Sequence, residues 1–228
     1  MKKIICKLLV MKLLLTGCAA YYPQLVDIPL IEEKGDIRLN TGCFIAMDFE
    51  DILNAGVNGT FSAGVTDMLA VQGYASLDAL LRWHFQGALG IFNAYENNTV
   101  IEMYAGYGLG TGGWWNMLFD FYDLCFMQFN IGQTNAVNGN IDFGMGLKGG
   151  YVFYDYTQYN MNYEYKMTKN NSWIIEPSMF VRFGGKHVKM NIMVNYLWAD
   201  NIPKPYYFPV SVGMGVNFKF GNSKKESL

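Results

Sequence analysis

The residues able to do chemistry are few. The chain has two histidines, His84 and His187, and four cysteines, with no close Cys/His spacing that would gather the donors a zinc ion needs. No nucleophile elbow and no phosphate loop is present. Gly108-Leu109-Gly110 followed by Gly112 has the outline of a dinucleotide loop, but no helix pattern follows it. His84 and Asp78 are an acid/imidazole pair close in sequence, the minimum for a protease built at a barrel rim. One such pair without a third group does not make a catalytic constellation, and no enzyme is expected. The other ionisable groups, Arg38, Arg82, Glu102, Asp142, Lys148, Glu176, Arg182, Lys189 and Lys219, join His84 on the polar face of an alternating pattern. Enclosed charges are costly unless paired and hydrogen-bonded, so a salt-bridge network that fills a lumen is the expectation. A polar pathway for small solutes is the alternative.

What positions these groups is period-two alternation, which runs from Asp36 almost to the C-terminus. Over residues 55–65 Ala55, Val57, Gly59, Phe61, Ala63 and Val65 alternate with Gly56, Asn58, Thr60, Ser62 and Gly64. Trp83, Phe85, Leu89 and Ile91 alternate with Arg82, His84, Gln86 and Gly90; Ile101, Met103, Ala105, Tyr107 and Leu109 continue the pattern. It recurs through Cys125, Phe129 and Ile131, through Ile141, Phe143, Met145 and Leu147, and over 173–183, 188–198 and 208–220. Turn residues punctuate it at Thr66-Asp67, Glu96-Asn97-Asn98 and 184–186. Ten strands are expected, the first at about 36–45 and the last at about 206–220, with eight as the alternative if the first strand and one neighbour are peripheral.

Alternation alone does not distinguish a soluble lipocalin-like barrel from a membrane barrel. Three features favour the membrane. The polar face is dense in Gly, Asn, Ser and Gln and poor in the Lys and Glu of a solvated sheet. Trp83, Phe119, Phe121, Phe153, Trp173, Trp198 and Phe208 fall at one level when strands run alternately up and down, as an interfacial girdle does. Short links alternate with long ones, the arrangement of periplasmic turns and outer loops. The predicted fold is therefore all-β, an up-and-down antiparallel transmembrane barrel. Its last strand, through Val216, Phe218 and Phe220, resembles the C-terminal assembly signal of outer-membrane barrels.

The N-terminus is read separately. Lys2, Lys3 and Lys7 precede an apolar run that ends in Leu15-Thr16-Gly17-Cys18, which resembles the lipobox of bacterial lipoproteins. The resemblance implies cleavage before Cys18, a diacylglycerol on its thiol and an acyl chain on its amino group, enough for stable anchoring. These covalent lipids are the only cofactor-like groups expected. The implied organisation is a signal peptide over 1–17, a lipidated tether over 18–35, the barrel over 36–220 and a polar tail over 221–228. Cys43 and Cys125 would lie on opposite sides of the barrel, too far apart to bridge.

Further short motifs follow Cys18: Tyr22-Pro23, Pro29-Leu30, Glu33-Lys34-Gly35-Asp36, Gly64-Val65-Thr66-Asp67, Tyr104-Ala105-Gly106-Tyr107-Gly108 and Glu176-Pro177. In this order they resemble the β-barrel lipoproteins of Bacteroidetes-type bacteria. The resemblance implies an outer-membrane location and a barrel fold, and it supplies no active site. Some lipoproteins of these bacteria carry an acidic export tag after the lipidated cysteine. Here Ala19, Ala20 and Tyr21 stand there, so the anchor is expected in the periplasmic leaflet, with residues 21–35 as an extended tether.

Charged residues make up 16% of the chain, against about 25% in an ordinary soluble domain. Without the four lysines of the first dozen residues, 13 basic side chains face 19 acidic ones, which disfavours nucleic acid as a partner. Contacts are expected in the outer loops. Trp114 and Trp115, and Tyr159, Tyr163 and Tyr165 among asparagines, are amphipathic aromatics suited to a protein or glycan partner. The expected partners are outer-membrane lipid and a larger outer-membrane assembly, and the expected role is structural or accessory. A narrow channel or carrier, and a tethered lipocalin-like binder of an apolar ligand, are the other readings.

Overall fold

The alternating segments form strands, and the strands close on themselves. A computed structural model describes residues 25–47, 53–79, 81–111, 121–136, 139–159, 165–200 and 209–221. The strands are β1 (Ile37–Met47), β2 (Leu53–Gly64), β3 (Leu69–Asp78), β4 (Trp83–Ala94), β5 (Thr99–Thr111) and β6 (Phe121–Gln133). They continue with β7 (Ile141–Tyr159), β8 (Tyr165–Gly184), β9 (Val188–Tyr196), the two-residue β10 (Trp198–Ala199) and β11 (Val210–Phe220). Each long strand pairs antiparallel with the next, and β1 pairs with β11 along its whole length, Ile37 opposite Phe220 and Met47 opposite Val210. β9 lies between β8 and β11, and β10 prolongs it along β8. The wall therefore has ten strands, and no edge is left open to other chains.

Side chains alternate strictly between the two faces. In β4 every second residue is buried, His84, Gln86, Ala88, Gly90 and Phe92, while Phe85, Leu89 and Ile91 point away. The sense of the faces decides the class of barrel. Phe61, Leu89, Met103 and Phe143 are 47%, 72%, 43% and 45% exposed, and they stand on the outside rather than meeting in a core. Water would not tolerate so continuous an apolar belt, whereas hydrocarbon requires one. At one end the belt is bounded by ring contacts: Trp83 with Phe85 and Phe121, and Tyr151 with Phe153 and Trp173. This is the expected girdle; Phe119 and Phe208 lie outside the described residues.

The two openings differ. At one, tight turns join β2 to β3 and β4 to β5; Thr66 Oγ1 accepts from the Leu69 amide, and Asn98 takes a left-handed conformation (φ 64°). Both barrel termini, Ile37 and Phe220, meet there. The girdle and the longer links mark the other opening. We call these the turn end and the loop end.

One expectation is overturned. Residues 25–31, assigned to an external tether, lie inside the barrel at 0–3% exposure wherever they are apolar or acidic: Leu25, Val26, Asp27, Ile28, Leu30 and Ile31. The reason is packing. Leu25, Ile28 and Leu30 cluster with the luminal side chains Phe44, Val100, Phe180 and Met193, so this apolar run is withdrawn from water by entering the lumen. The lumen is also less uniformly polar than its Gly/Asn/Ser pattern implies. Tyr104, Tyr122, Leu124, Phe126, Val152, Tyr154, Ile174 and Leu197 form a second apolar cluster within it. Glycines on neighbouring strands make the room: a Cβ at Gly106 would come within 2.6 Å of the Phe126 ring, and one at Gly110 within 2.5 Å of Tyr122.

Candidate functional site: a plugged lumen

Of the ten luminal residues anticipated from the pattern nine are buried, Arg38, Arg82, His84, Glu102, Asp142, Lys148, Glu176, Arg182 and Lys189, while Lys219 sits half-buried at the rim. They do not form one cluster. Toward the loop end, Asp78 pairs with Arg82 at 2.5 Å and accepts from Asn54 at 3.0 Å. His84 meets the Tyr122 hydroxyl at 2.7 Å, on a stacked ring, and lies 3.4 Å from Gln86. Asp78 thus faces a guanidinium and His84 a phenol. The acid/imidazole pair considered for a rim protease is not brought together. Lys148 bridges Glu176 (3.2 Å) and Gln86 (3.1 Å), with its ammonium 4.8 Å from the Phe126 ring centre.

Toward the turn end the wall's charges are directed at the luminal segment. Arg182 donates to the carbonyls of Ile28 (2.5 Å) and Pro29 (3.3 Å), approaches Asp27 at 3.5 Å and stacks over Phe180. Arg38 donates to the Leu30 carbonyl (3.0 Å) and to Glu32 (2.7 Å), and lies 3.4 Å from Asp36. Leu30 itself adopts φ 57°, a conformation costly for leucine, and Arg38 holds its carbonyl. Glu102 accepts from the Ile31 amide (2.7 Å) and from Asn130 (2.9 Å). Gln72 and Gln128 both donate to the Asp27 carbonyl, and Asn40 to its carboxylate. Lys219 closes the rim against Glu32 at 2.7 Å, and Lys189 pairs with Asp142 at 2.5 Å. Burial raises the Glu32 carboxyl pKa, but Arg38 and Lys219 outweigh it and hold it below the ordinary range.

Sequence reasoning missed Asp27, Glu32 and Asp36, and one signal pointed to them. The inward face carries six cationic side chains, Arg38, Arg82, Lys148, Arg182, Lys189 and Lys219, against four acids, Asp78, Glu102, Asp142 and Glu176. An enclosed excess of that kind demands anions from elsewhere. The plug and its exit supply them.

Among the described residues the hollows found in the lumen are small. Two hollows within the lumen, one bordered by Glu32, Arg38, Asp142 and Lys189 and the other by Leu25, Asn40, Asn58 and Met193, measure about 10 Å³ each. A single water needs about that much. The larger hollows, about 520 and 660 Å³, are shallow grooves on the outer wall around Phe129, Ile131, Met145, Met179 and Val194. Among the described residues no group of three or more His, Cys, Asp or Glu is placed to hold a metal ion. Cys43 and Cys125 are free and outward-facing, on β1 and β6, half the circumference apart.

The remaining candidates lie elsewhere. Cys18, Trp114, Trp115 and Tyr163 fall outside the described residues. Tyr159 and Tyr165 pair across the end of the β7–β8 hairpin, and their side chains are likewise outside the description.

Fold and lumen together define a membrane-spanning β-barrel whose interior is entered by residues 25–31 of its own chain. No protein-family model and no curated protein matches the sequence. Among solved structures the chain is similar to the N-terminal β-barrel domain of OprF from Pseudomonas aeruginosa, with 10% identity, 82% of this chain and 99% of that one covered, and a TM-score of 0.36. Ail of Yersinia pestis, the attachment invasion locus protein, gives 9%, 82%, 99% and 0.27. Outer membrane phospholipase A from Escherichia coli gives 10%, 81%, 92% and 0.36. At such scores these likenesses carry no argument about what the chain does.

Proposed function

We infer that the protein is an outer-membrane β-barrel lipoprotein, anchored through acyl chains on Cys18, with a structural or accessory role in a larger envelope assembly. The observation that carries this reading is the filled lumen. A barrel whose interior is occupied by residues 25–31 and a paired charge network has only its outer wall and its loops to offer a partner. The apolar belt, the one-ended aromatic girdle and the alternation of turns and longer links support the outer-membrane location. The lipobox-like Leu15-Thr16-Gly17-Cys18 supports lipidation. A solute pathway gains no support from hollows of about 10 Å³, and an apolar-ligand cup would need the exposed Phe61 and Leu89 to face inward.

Planar-bilayer recording tests the sealed lumen: purified protein should insert without discrete conductance steps, and reproducible steps would overturn the reading. Affinity isolation from detergent-solubilised envelopes should retain an outer-membrane partner in stoichiometric amount. Recovery of the barrel alone under several mild detergents would remove the accessory role.

A further inference from the structure

The outward face of the wall holds a carboxylate that a lipid-facing pattern does not explain. Among the described side chains of the strands, those that point outward are apolar or uncharged, with two exceptions, Asp123 on β6 and Lys169 on β8. Lys169 lies beyond Trp173 toward the tip of the β7–β8 hairpin, past the girdle. Asp123 lies within the girdle. Phe121, the next outward residue toward the loop end, meets Trp83 edge-on, and Asp123 pairs directly with Phe153, whose ring packs on Tyr151. A charge on the lipid face of a barrel is costly, and an ionisable group at membrane depth marks a binding position unless its own chain neutralises it. Here the chain does not. The Tyr107 hydroxyl donates to Asp123 Oδ1 at 2.5 Å, which fixes the carboxylate without matching its charge. Among the described residues no Lys, Arg or His comes within ion-pair distance of Asp123, and residues 112–120, which follow β5, include no basic side chain.

The surroundings select the ligand by its chemistry. A calcium ion takes about six to eight oxygens, and this patch offers one carboxylate and one phenol. A phosphate is repelled by the carboxylate. An ammonium group needs only an anionic acceptor for its hydrogens and ring faces beside it, which Asp123, Phe153 and Tyr151 supply. Away from the loop end the wall then opens. Its outward face runs from Asp123 and Phe153 through Cys125 and Tyr151 to Met127 and Gly149, and on to Phe129 and Leu147. Nothing lies within 4 Å of where a Cβ would stand on Gly149, and Phe129 and Leu147 border the outer groove of about 520 Å³. From Asp123 to Phe129 the strand covers about 20 Å. At a tilt of about 40° that is about 15 Å of depth, half the hydrocarbon core. We propose that Asp123 binds the primary ammonium of an aminophospholipid headgroup, with Tyr107 fixing the carboxylate and an acyl chain running past Gly149 into the groove at Phe129 and Leu147. The headgroup phosphate faces away, toward water. The site rests on the lipid-facing sense of the wall and needs neither the lipid anchor nor the assembly partner proposed above.

Full-chain protein in mild detergent would be mixed with equal amounts of dioleoyl phosphatidylethanolamine and dioleoyl phosphatidylglycerol, which share chains and phosphate and differ in the amine. Native mass spectrometry then counts the lipids retained. Wild type should keep the ethanolamine lipid several-fold over the glycerol lipid, with or without EDTA. Asp123→Asn should abolish the preference and Asp123→Lys should invert it. Gly149→Phe, which fills the path of the chain, should lower retention of the ethanolamine lipid. All three positions face outward, and heat-modifiable migration selects folded variants. Equal retention of the two lipids by wild type overturns the site, as does a preference that survives in Asp123→Asn. A preference lost in EDTA assigns the acid to a bridging metal instead, and unchanged retention in Gly149→Phe refutes the acyl path. If wild type shows no preference but holds an envelope protein that Asp123→Lys releases, the acid serves a protein partner and the lipid site is wrong. A lipid preference without any recovered partner supports the site and removes only the accessory role.

Discussion

Arg182 shows how one luminal side chain holds two parts of the molecule together. It projects from β8, is fully buried, and spends its donors on the Ile28 and Pro29 carbonyls beside the Asp27 carboxylate. Removing it leaves two buried carbonyls without that donor and the Asp27 carboxylate without its nearest cation. Arg182→Met should lower unfolding stability in detergent-urea titrations by about 3–5 kcal/mol, the range for breaking a buried pair. Adding Asp27→Leu should recover part of that loss, so that the double variant is more stable than the sum of the single changes predicts. At the rim Glu32 offers a pH test. Its carboxyl is depressed below the ordinary value of 4.5, with burial opposing and Arg38 and Lys219 prevailing. A depressed acid stabilises the folded state above its unfolded pKa, and that contribution is lost as pH falls through the folded value. Wild-type stability should therefore drop on acidification below about pH 4.5, and Glu32→Gln should flatten the drop while lowering stability at neutral pH.

Among the elements, the plug and the first strand behave as one unit. Residues 25–33 descend the lumen, Gly35 reverses the chain at φ 82°, and β1 climbs back as part of the wall. The joint is tight. Gly64 donates to the Asp36 carbonyl (2.9 Å) and accepts from Gly35 (2.8 Å), and its missing side chain is where the Glu33 carbonyl passes. A side chain there meets backbone, which cannot move aside as a flexible side chain would. Gly64→Val should cost about 1–3 kcal/mol by overpacking and should loosen the plug. Its signature would be faster proteolysis between residues 25 and 35 in folded, heat-modifiable protein. The same substitution at Gly73, where a Cβ meets nothing within 4 Å, is the control and should have little effect.

For the molecule as a whole, the wall is the claim most open to challenge by a single change. Leu89, 72% exposed in the apolar belt, would face hydrocarbon in a membrane barrel and water in a soluble one. Leu89→Arg should cost about 2–4 kcal/mol of folding stability into lipid vesicles, measured by denaturant titration, if the site lies near the bilayer midplane. A soluble barrel would tolerate it or gain solubility. Among the outer grooves, the two around Met145 and Met179 lie within the same belt, so lipid chains are their ordinary occupants.

Strand positions, their number and the inward or outward sense of each residue were legible in the chain, because a strand's period of two and a girdle's aromatics are local properties. Arg182 and Glu102 could be assigned to the lumen from spacing alone. Their partners could not be assigned, because Asp27 lies 155 residues before Arg182 and its neighbours form an apolar run that does not alternate cleanly. Only closure of the wall, β11 onto β1, creates an enclosed space into which residues 25–31 can be withdrawn from water. Sequence determined the wall because every strand is specified by its own pattern. Tertiary structure decided the plug, because nothing local tells an apolar tether outside a barrel from an apolar filler within it.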